Sequence, residues 1–172
     1  MGQVAFGVSA IEIGDINAGT GLGENYSALG DVVKNSFKIN EEEPTLTKHF
    51  AELKRYPVEV SVQNNGEQME FGLLEVGADN LVRFLGGTAT DVVGVKDKWS
   101  APAGHVDIEN AIKVTTEDGT VIEYLRVKIL GYKTIDVSRE GKFTVMVKGE
   151  VLQPKVDGVP AVTVEDNVIT NP

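Results

Sequence analysis

Cysteine is missing altogether from this 172-residue chain. No disulfide can brace the fold, and no thiol chemistry points to an oxidising compartment. Histidine is scarce. His49 and His105 stand apart, at no metal-ligand spacing, and without cysteine they make no zinc pattern. Uninterrupted apolar runs fall far short of a membrane-crossing helix. The opening residues, MGQVAFGVSAIEIGD, lack the basic start, apolar core and small-residue cleavage site of a secretory signal, so the expectation is a soluble protein made inside the cell. Positive charge is outweighed, 16 basic residues against 26 acidic, for a net charge of −10. Such a surface repels phosphate, which argues against a sequence-reading nucleic-acid binder. It suits either plain solubility or a wall that must lie near DNA without holding it.

The residue groupings that carry catalysis are also missing. Gly19-Thr20-Gly21-Leu22-Gly23 has the look of a phosphate loop but lacks the lysine and the following helical pattern that phosphate binding needs. Glu41-Glu42-Glu43 places three carboxylates side by side at a connection, where they read as a solvated cap. No serine has the glycine spacing of a nucleophile elbow. Trp99 is a lone aromatic, read as packing on the sheet or as a subunit contact. The expectation is no enzyme, no cofactor and no bound metal.

What is present is a chain dominated by alternation. In Pro57 to Gly87, Val58, Val60 and Val62 alternate with Glu59, Ser61 and Gln63, the period of a strand with one buried face. Asn64-Asn65-Gly66 follows, and Asn-Gly is a strong hairpin signal. A return strand places Met69, Phe71 and Leu73 on one face and Gln68 and Glu70 on the other. The period then changes. Leu81, Phe84 and Leu85, at i, i+3 and i+4, predict the packed face of a short helix, with Asp79 at its start and Gly86-Gly87 ending it.

Around this unit, Gln3 to Ile13 reads as a first strand. Asp15 to Gly30, rich in Gly, Asn and Ser, reads as a long functional or mobile loop. Val32 to Ile39 and Glu43 to His49 read as two strands paired across Asn40-Glu41-Glu42. His49 to Arg55 is compatible with one helical turn, and Asp91 to Val95 with a short strand. Ala111–Thr116 and Val121–Leu130 form a hairpin at Glu117-Asp118-Gly119. Gly131 to Val137, continuing the sheet after a bulge or bend at Gly131, pairs with Lys142 to Leu152 around Arg139-Glu140-Gly141. From Pro154 an extended arm begins. The predicted fold is mainly β: an antiparallel β-sandwich or open barrel spanning residues 1–153, with one short flanking α-helix, the extended loop of residues 15–30 and a C-terminal arm, 154–172.

The strand-turn-strand VEVSVQNNGEQMEFGLLEV, the short helix GADNLVRFLGG directly after it, and the strand-rich half with its extended end resemble the tail tube (major tail) proteins of long-tailed bacteriophages. The resemblance is of pattern and covers most of the chain. It implies a β-sandwich with a flanking helix, assembled into hexameric rings that stack into a hollow tube. Sheets from six subunits would join into one inner barrel, the channel for DNA ejection, and closure would remove the open edges. Partners would be further copies of the chain, other tail proteins at the tube ends and passing DNA held without specificity, with no membrane. The protein would be made in the host cytoplasm and reside in the virion tail. A polar, preferably acidic lumen would draw on Glu59, Ser61, Gln63, Gln68 and Glu70, whose competing assignment is the solvent face of an ordinary sandwich. The loop at 15–30 and the arm at 154–172 would join rings, and removing residues 154–172 would leave a folded chain unable to polymerise.

Two other readings share the pattern. The inner-tube protein of a contractile injection system has the same architecture. A β-sandwich adhesion or carbohydrate-binding module would carry a secretion signal and exposed aromatics or a calcium loop.

Overall fold

Alternation at period two governs most of the chain, and the computed structural model is accordingly mainly β, an antiparallel sheet curled into a half-barrel with a single short helix. It describes residues 7–74, 76–91, 93–94, 97–136, 138–141 and 143–166. The large sheet runs β2 (Gly23–Ala28), β1 (Val8–Ile16), β9 (Ile108–Thr116), β10 (Val121–Ile135), β11 (Phe143–Val151), β6 (Glu67–Leu73), β3 (Lys38–Glu41), and β12 (Val162–Glu165) pairs with β10 off this path. Two further two-stranded ladders join β4 (Thr45–His49) to β5 (Glu59–Gln63) and β7 (Thr88–Thr90) to β8 (Lys98–Ser100).

The curl brings both ends of the sheet onto one core. Ile11 and Ile13 from β1, Ile112 and Val114 from β9, Val145 and Val147 from β11, and Met69, Phe71 and Leu73 from β6 belong to a single buried cluster. Each such side chain contributes about 1.5–3 kcal/mol by leaving water. Helix α1 (Ala78–Leu85) covers this interior. Leu81 and Phe84 are buried and Leu85 is half-buried against the core, as the i, i+3, i+4 pattern requires. Phe84 meets Phe71 edge-on, ring centres 6.1 Å apart. Asp79 lies in the first turn, but the residue before the helix is Gly77 and makes no side-chain cap. Gly86 ends the helix at φ +74°, and Trp99 from β8 donates its indole N–H to the Gly86 carbonyl at 2.9 Å. Trp99 therefore packs on the core of its own subunit.

The hairpins at Asp118-Gly119 and Glu140-Gly141 form as expected, β9 with β10 and β10 with β11. Gly131 makes no bulge in the pairing of β10 with β11, which runs through it without a shift; the irregularity lies at Tyr124/Val127, in the pairing with β9. What Gly131 supplies is room. A Cβ there would sit 2.4 Å from the Phe84 carbonyl oxygen, so the helix rests on bare backbone. The first strand starts at Val8, with Gln3, Val4 and Phe6 outside the described residues, and extends to Ile16. A bulge between Val8 and Ala10 shifts its alternation. Of Asp91 to Val95, the described residues 91, 93 and 94 are not strand.

Two expectations fail at the edges, and a third gains a contact. Asp15 to Gly30 is not a structureless loop: Ile16 pairs with Gly23 and Ile13 with Ser27, so the glycine-rich stretch is a hairpin closed by Asn17, whose Oδ1 accepts the N–H groups of Gly19 and Thr20. Its glycines admit an aromatic ring, since a Cβ at Gly14 would lie 2.8 Å from the Tyr26 ring. Glu43 to His49 does not pair back on Val32 to Ile39; within the latter only an isolated bridge, Val32 to Leu73, and the start of β3 are strand-like. The C-terminal arm is extended but not free. Val162 packs on the core, Val164 lies opposite Ile122, and the Leu125 N–H donates to Ala161. Residues 167–172 lie outside the described residues.

Gly149 faces the core between Val127 and Met69, where an added Cβ would come within 2.6 Å and 2.7 Å of their side chains. Gly149→Ala is expected to lose about 1–3 kcal/mol in urea unfolding, the usual cost of overpacking. Truncation at residue 153 is expected to lower the melting temperature and to speed amide exchange at Leu125, since its acceptor is removed; unchanged exchange there would mean the arm does not dock on its own sheet.

Candidate assembly surface

The pairs Lys38–Glu70 through Glu41–Glu67 belong to β3 and β6, and the pairs Thr45–Gln63 through His49–Glu59 to β4 and β5. The offset between the two chain directions is the same in both ladders. They are one ribbon, Lys38 to His49 running against Glu59 to Leu73, with a short interruption. Pro44 supplies the interruption because it has no N–H to give a ladder. Gly66 opposite adopts φ +95°, a conformation open to glycine. The gap is stitched by the Glu42 N–H to the Gly66 carbonyl at 3.0 Å, and by the Asn65 amide to the Glu43 carbonyl at 2.7 Å and to Thr45 Oγ1 at 3.0 Å. Asn64-Asn65-Gly66 is thus a passage within a strand direction, and the expected hairpin of β5 with β6 does not exist. The reversal lies at residues 50–58, where Val58 N–H bonds the His49 carbonyl.

Polarity inverts across that interruption. Below it the odd-numbered residues Ile39, Met69 and Phe71 face the core. Above it the odd-numbered residues Thr45, Thr47, His49, Glu59, Ser61 and Gln63 are polar and exposed. The even-numbered side is now the apolar one. Leu46 lies opposite Val62 and Lys48 opposite Val60, flanked by Phe50 and Val58. All five of these apolar side chains are exposed, from 46% at Val60 to 62% at Val62. A lone two-stranded ribbon is marginally stable in water, and an exposed apolar face, here interrupted by Lys48, marks an interaction site. At the tip Phe50, Leu53 and Tyr56 are exposed beside Lys54 and Arg55, and Leu53 holds φ +69°, uncommon for a branched residue.

The base of the ribbon is anchored. The hydroxyl of Tyr124, 2% exposed on β10, donates to Glu67 Oε1 at 2.9 Å; burial first, then this carboxylate, raises the Tyr124 pKa well above the phenolic range. Elsewhere on the sheet, Arg126 grips Glu109 through two nitrogens, each at 2.9 Å, and holds its carboxyl below the usual value.

The five polar residues expected to share one wall divide into two sets. Glu59, Ser61 and Gln63 line the wet side of the projecting ribbon, whereas Gln68 and Glu70 lie on the outer face of β6. That outer face is not acidic. Glu70 lies between Lys38 and Lys148, Lys128 between Glu150 and Glu109, and Lys113 between Glu12 and Glu123, so charge alternates in sign from strand to strand. Such cross-strand pairs contribute roughly 0.2–1 kcal/mol each. The ribbon's apolar stripe was legible as alternation, and Glu43 to His49 as a strand; their pairing was missed because Asn64-Asn65-Gly66 and Asn40-Glu41-Glu42 read as turns.

His49 Nε2 lies 3.1 Å from Ser61 Oγ and His105 Nε2 3.2 Å from Asp107, both at exposed sites. Among the described residues no group of three metal-ligating side chains converges, and no helix is long and apolar enough to cross a membrane. No protein-family model matches the chain, and no curated protein is significantly similar to it.

The double variant Val60→Thr, Val62→Thr is expected to change the unfolding free energy of the isolated chain by under about 0.5 kcal/mol per site, as for exposed positions. Were these valines core residues, each unmatched hydroxyl would cost about 1–3 kcal/mol in the same denaturant titration.

Proposed function

We propose that this chain is a structural protein that assembles with copies of itself, and that its assembly is the tail tube of a long-tailed bacteriophage. One observation carries the proposal. The ribbon from Thr45 to Gln63 presents an apolar stripe on the side opposite to the one its own core uses, and nothing among the described residues covers it. A stripe so placed is built for another molecule, and the commonest source of a matching molecule is a further copy of the chain.

Two further features support this reading. The end strands β2 and β3 each have a partner on one side only among the described residues. Unpaired edges invite pairing in trans, and a ring removes them. In such a ring six subunits close the half-barrels into a channel wall. The outer face, with its strand-by-strand alternation of lysine and glutamate, presents no continuous field of either sign to a passing duplex, so DNA meets no run of phosphate-binding cations. Gln68 and Glu70 stay as candidates for that wall. Glu59, Ser61 and Gln63 belong instead to the wet side of the ribbon that reaches the next subunit. The protein works as a scaffold with no reaction to catalyse.

Negative-stain electron microscopy of the concentrated protein is expected to show hollow rings or tubes, and Val60→Asp with Val62→Asp to abolish them while leaving a folded monomer. Uniform monomers at every concentration and salt tested would overturn the proposal.

A further inference from the structure

The ribbon is charged in opposite senses at its two ends. At its base Glu41, Glu42 and Glu43 are consecutive and exposed; at its tip Lys54 and Arg55 are exposed beside one acid, Glu52, with Lys48 and Glu59 on the last rungs of the ladder below them. Among the described residues no ion pair involves any of these side chains. Glu42 accepts only the Gln68 amide, at 3.3 Å. From Glu43 to His49 the extended chain rises roughly 20 Å at about 3.3 Å per residue. At physiological ionic strength charges are screened over about 8 Å. The two ends of one ribbon therefore do not neutralise each other, and each keeps its charge for a partner.

We infer that the tip of one subunit's ribbon docks on the Glu41–Glu43 base of the next subunit's ribbon, head to tail. The inference rests on the self-assembly proposed above and names the contact that makes it directional. Donor and acceptor patches sit at opposite ends of one element, and joined head to tail they make a heterologous contact in which each addition leaves a free base at one end and a free tip at the other. Phe50, Leu53 and Tyr56, exposed among the tip cations, supply apolar area at the same contact, and the cations supply register and direction. An isologous pair of antiparallel ribbons would match the same charges but stop at two copies.

Charge exchange tests this, read as polymer mass by sedimentation and as tubes by electron microscopy. Every altered residue is exposed, and unchanged circular dichroism checks folding. Lys54→Glu with Arg55→Glu is expected to suppress elongation at least tenfold, as is Glu42→Lys with Glu43→Lys. The chain carrying all four changes is expected to elongate again, and wild-type elongation to weaken as salt rises. Elongation of either reversed pair at the wild-type rate, failure of the fourfold variant to recover, or growth that ends at a dimer would each overturn the inference. If the wild type elongates and Val60→Asp blocks it while charge reversal has no effect, only this contact falls. If the wild type never elongates, the assembly proposal falls with it.

Discussion

The whole molecule depends on one backbone ladder that keeps its offset from Lys38–Glu70 out to His49–Glu59. Backbone hydrogen bonds are indifferent to side-chain polarity, so a ladder can continue while the buried side changes hands. Here it does. Below Pro44 and Gly66 the odd-numbered residues feed the core, and beyond them the even-numbered ones are apolar. The interruption lets each half serve a different partner, one the subunit's own interior and the other something outside it. Tyr124 ties the junction to the central strand through Glu67, so the projecting half leaves from a firm base.

The remainder of the fold gives that ladder a rigid place to start. The curled sheet gathers its side chains into a single core, and the helix lies directly on the backbone at Gly131. Trp99 finishes the helix by taking the Gly86 carbonyl, one of the acceptors a helix end leaves without a partner. On the opposite face, alternating lysine and glutamate hold neighbouring strands in register at little cost in net field. The acidic excess of the chain includes Glu41, Glu42 and Glu43 at the ribbon base, outside this balanced face.

Local features were legible in the sequence and distant ones were not. The Asp-Gly turn between β9 and β10 and the helix through Leu81, Phe84 and Leu85 involve residues within a few positions of each other, and both form where the pattern puts them. The ribbon was misassigned because Asn64-Asn65-Gly66 has the chemistry of a two-residue turn, yet Gly66 spends its positive φ on a gap in a continuing strand direction. Pro44, unable to donate, was the available sign that the ladder breaks there. β2 was hidden by its composition: Tyr26 is its large side chain, and the neighbouring glycines that look like loop residues make space for that ring. The arm was legible as extended, but its docking on β10 was not, because that pairing joins residues some forty positions apart.

The place of β1 in the sheet has a consequence for how the chain reaches its native state. Its central partner is β9, about a hundred residues later in the sequence. Closing so long a loop is entropically slow compared with forming the β9–β10–β11 hairpins, which need only their own turns. During synthesis the β1–β2 hairpin therefore emerges well before β9, with Ile11 and Ile13 uncovered on that side until β9 arrives. β1 is therefore expected to be sealed only after β9 has formed, although it is made long before it.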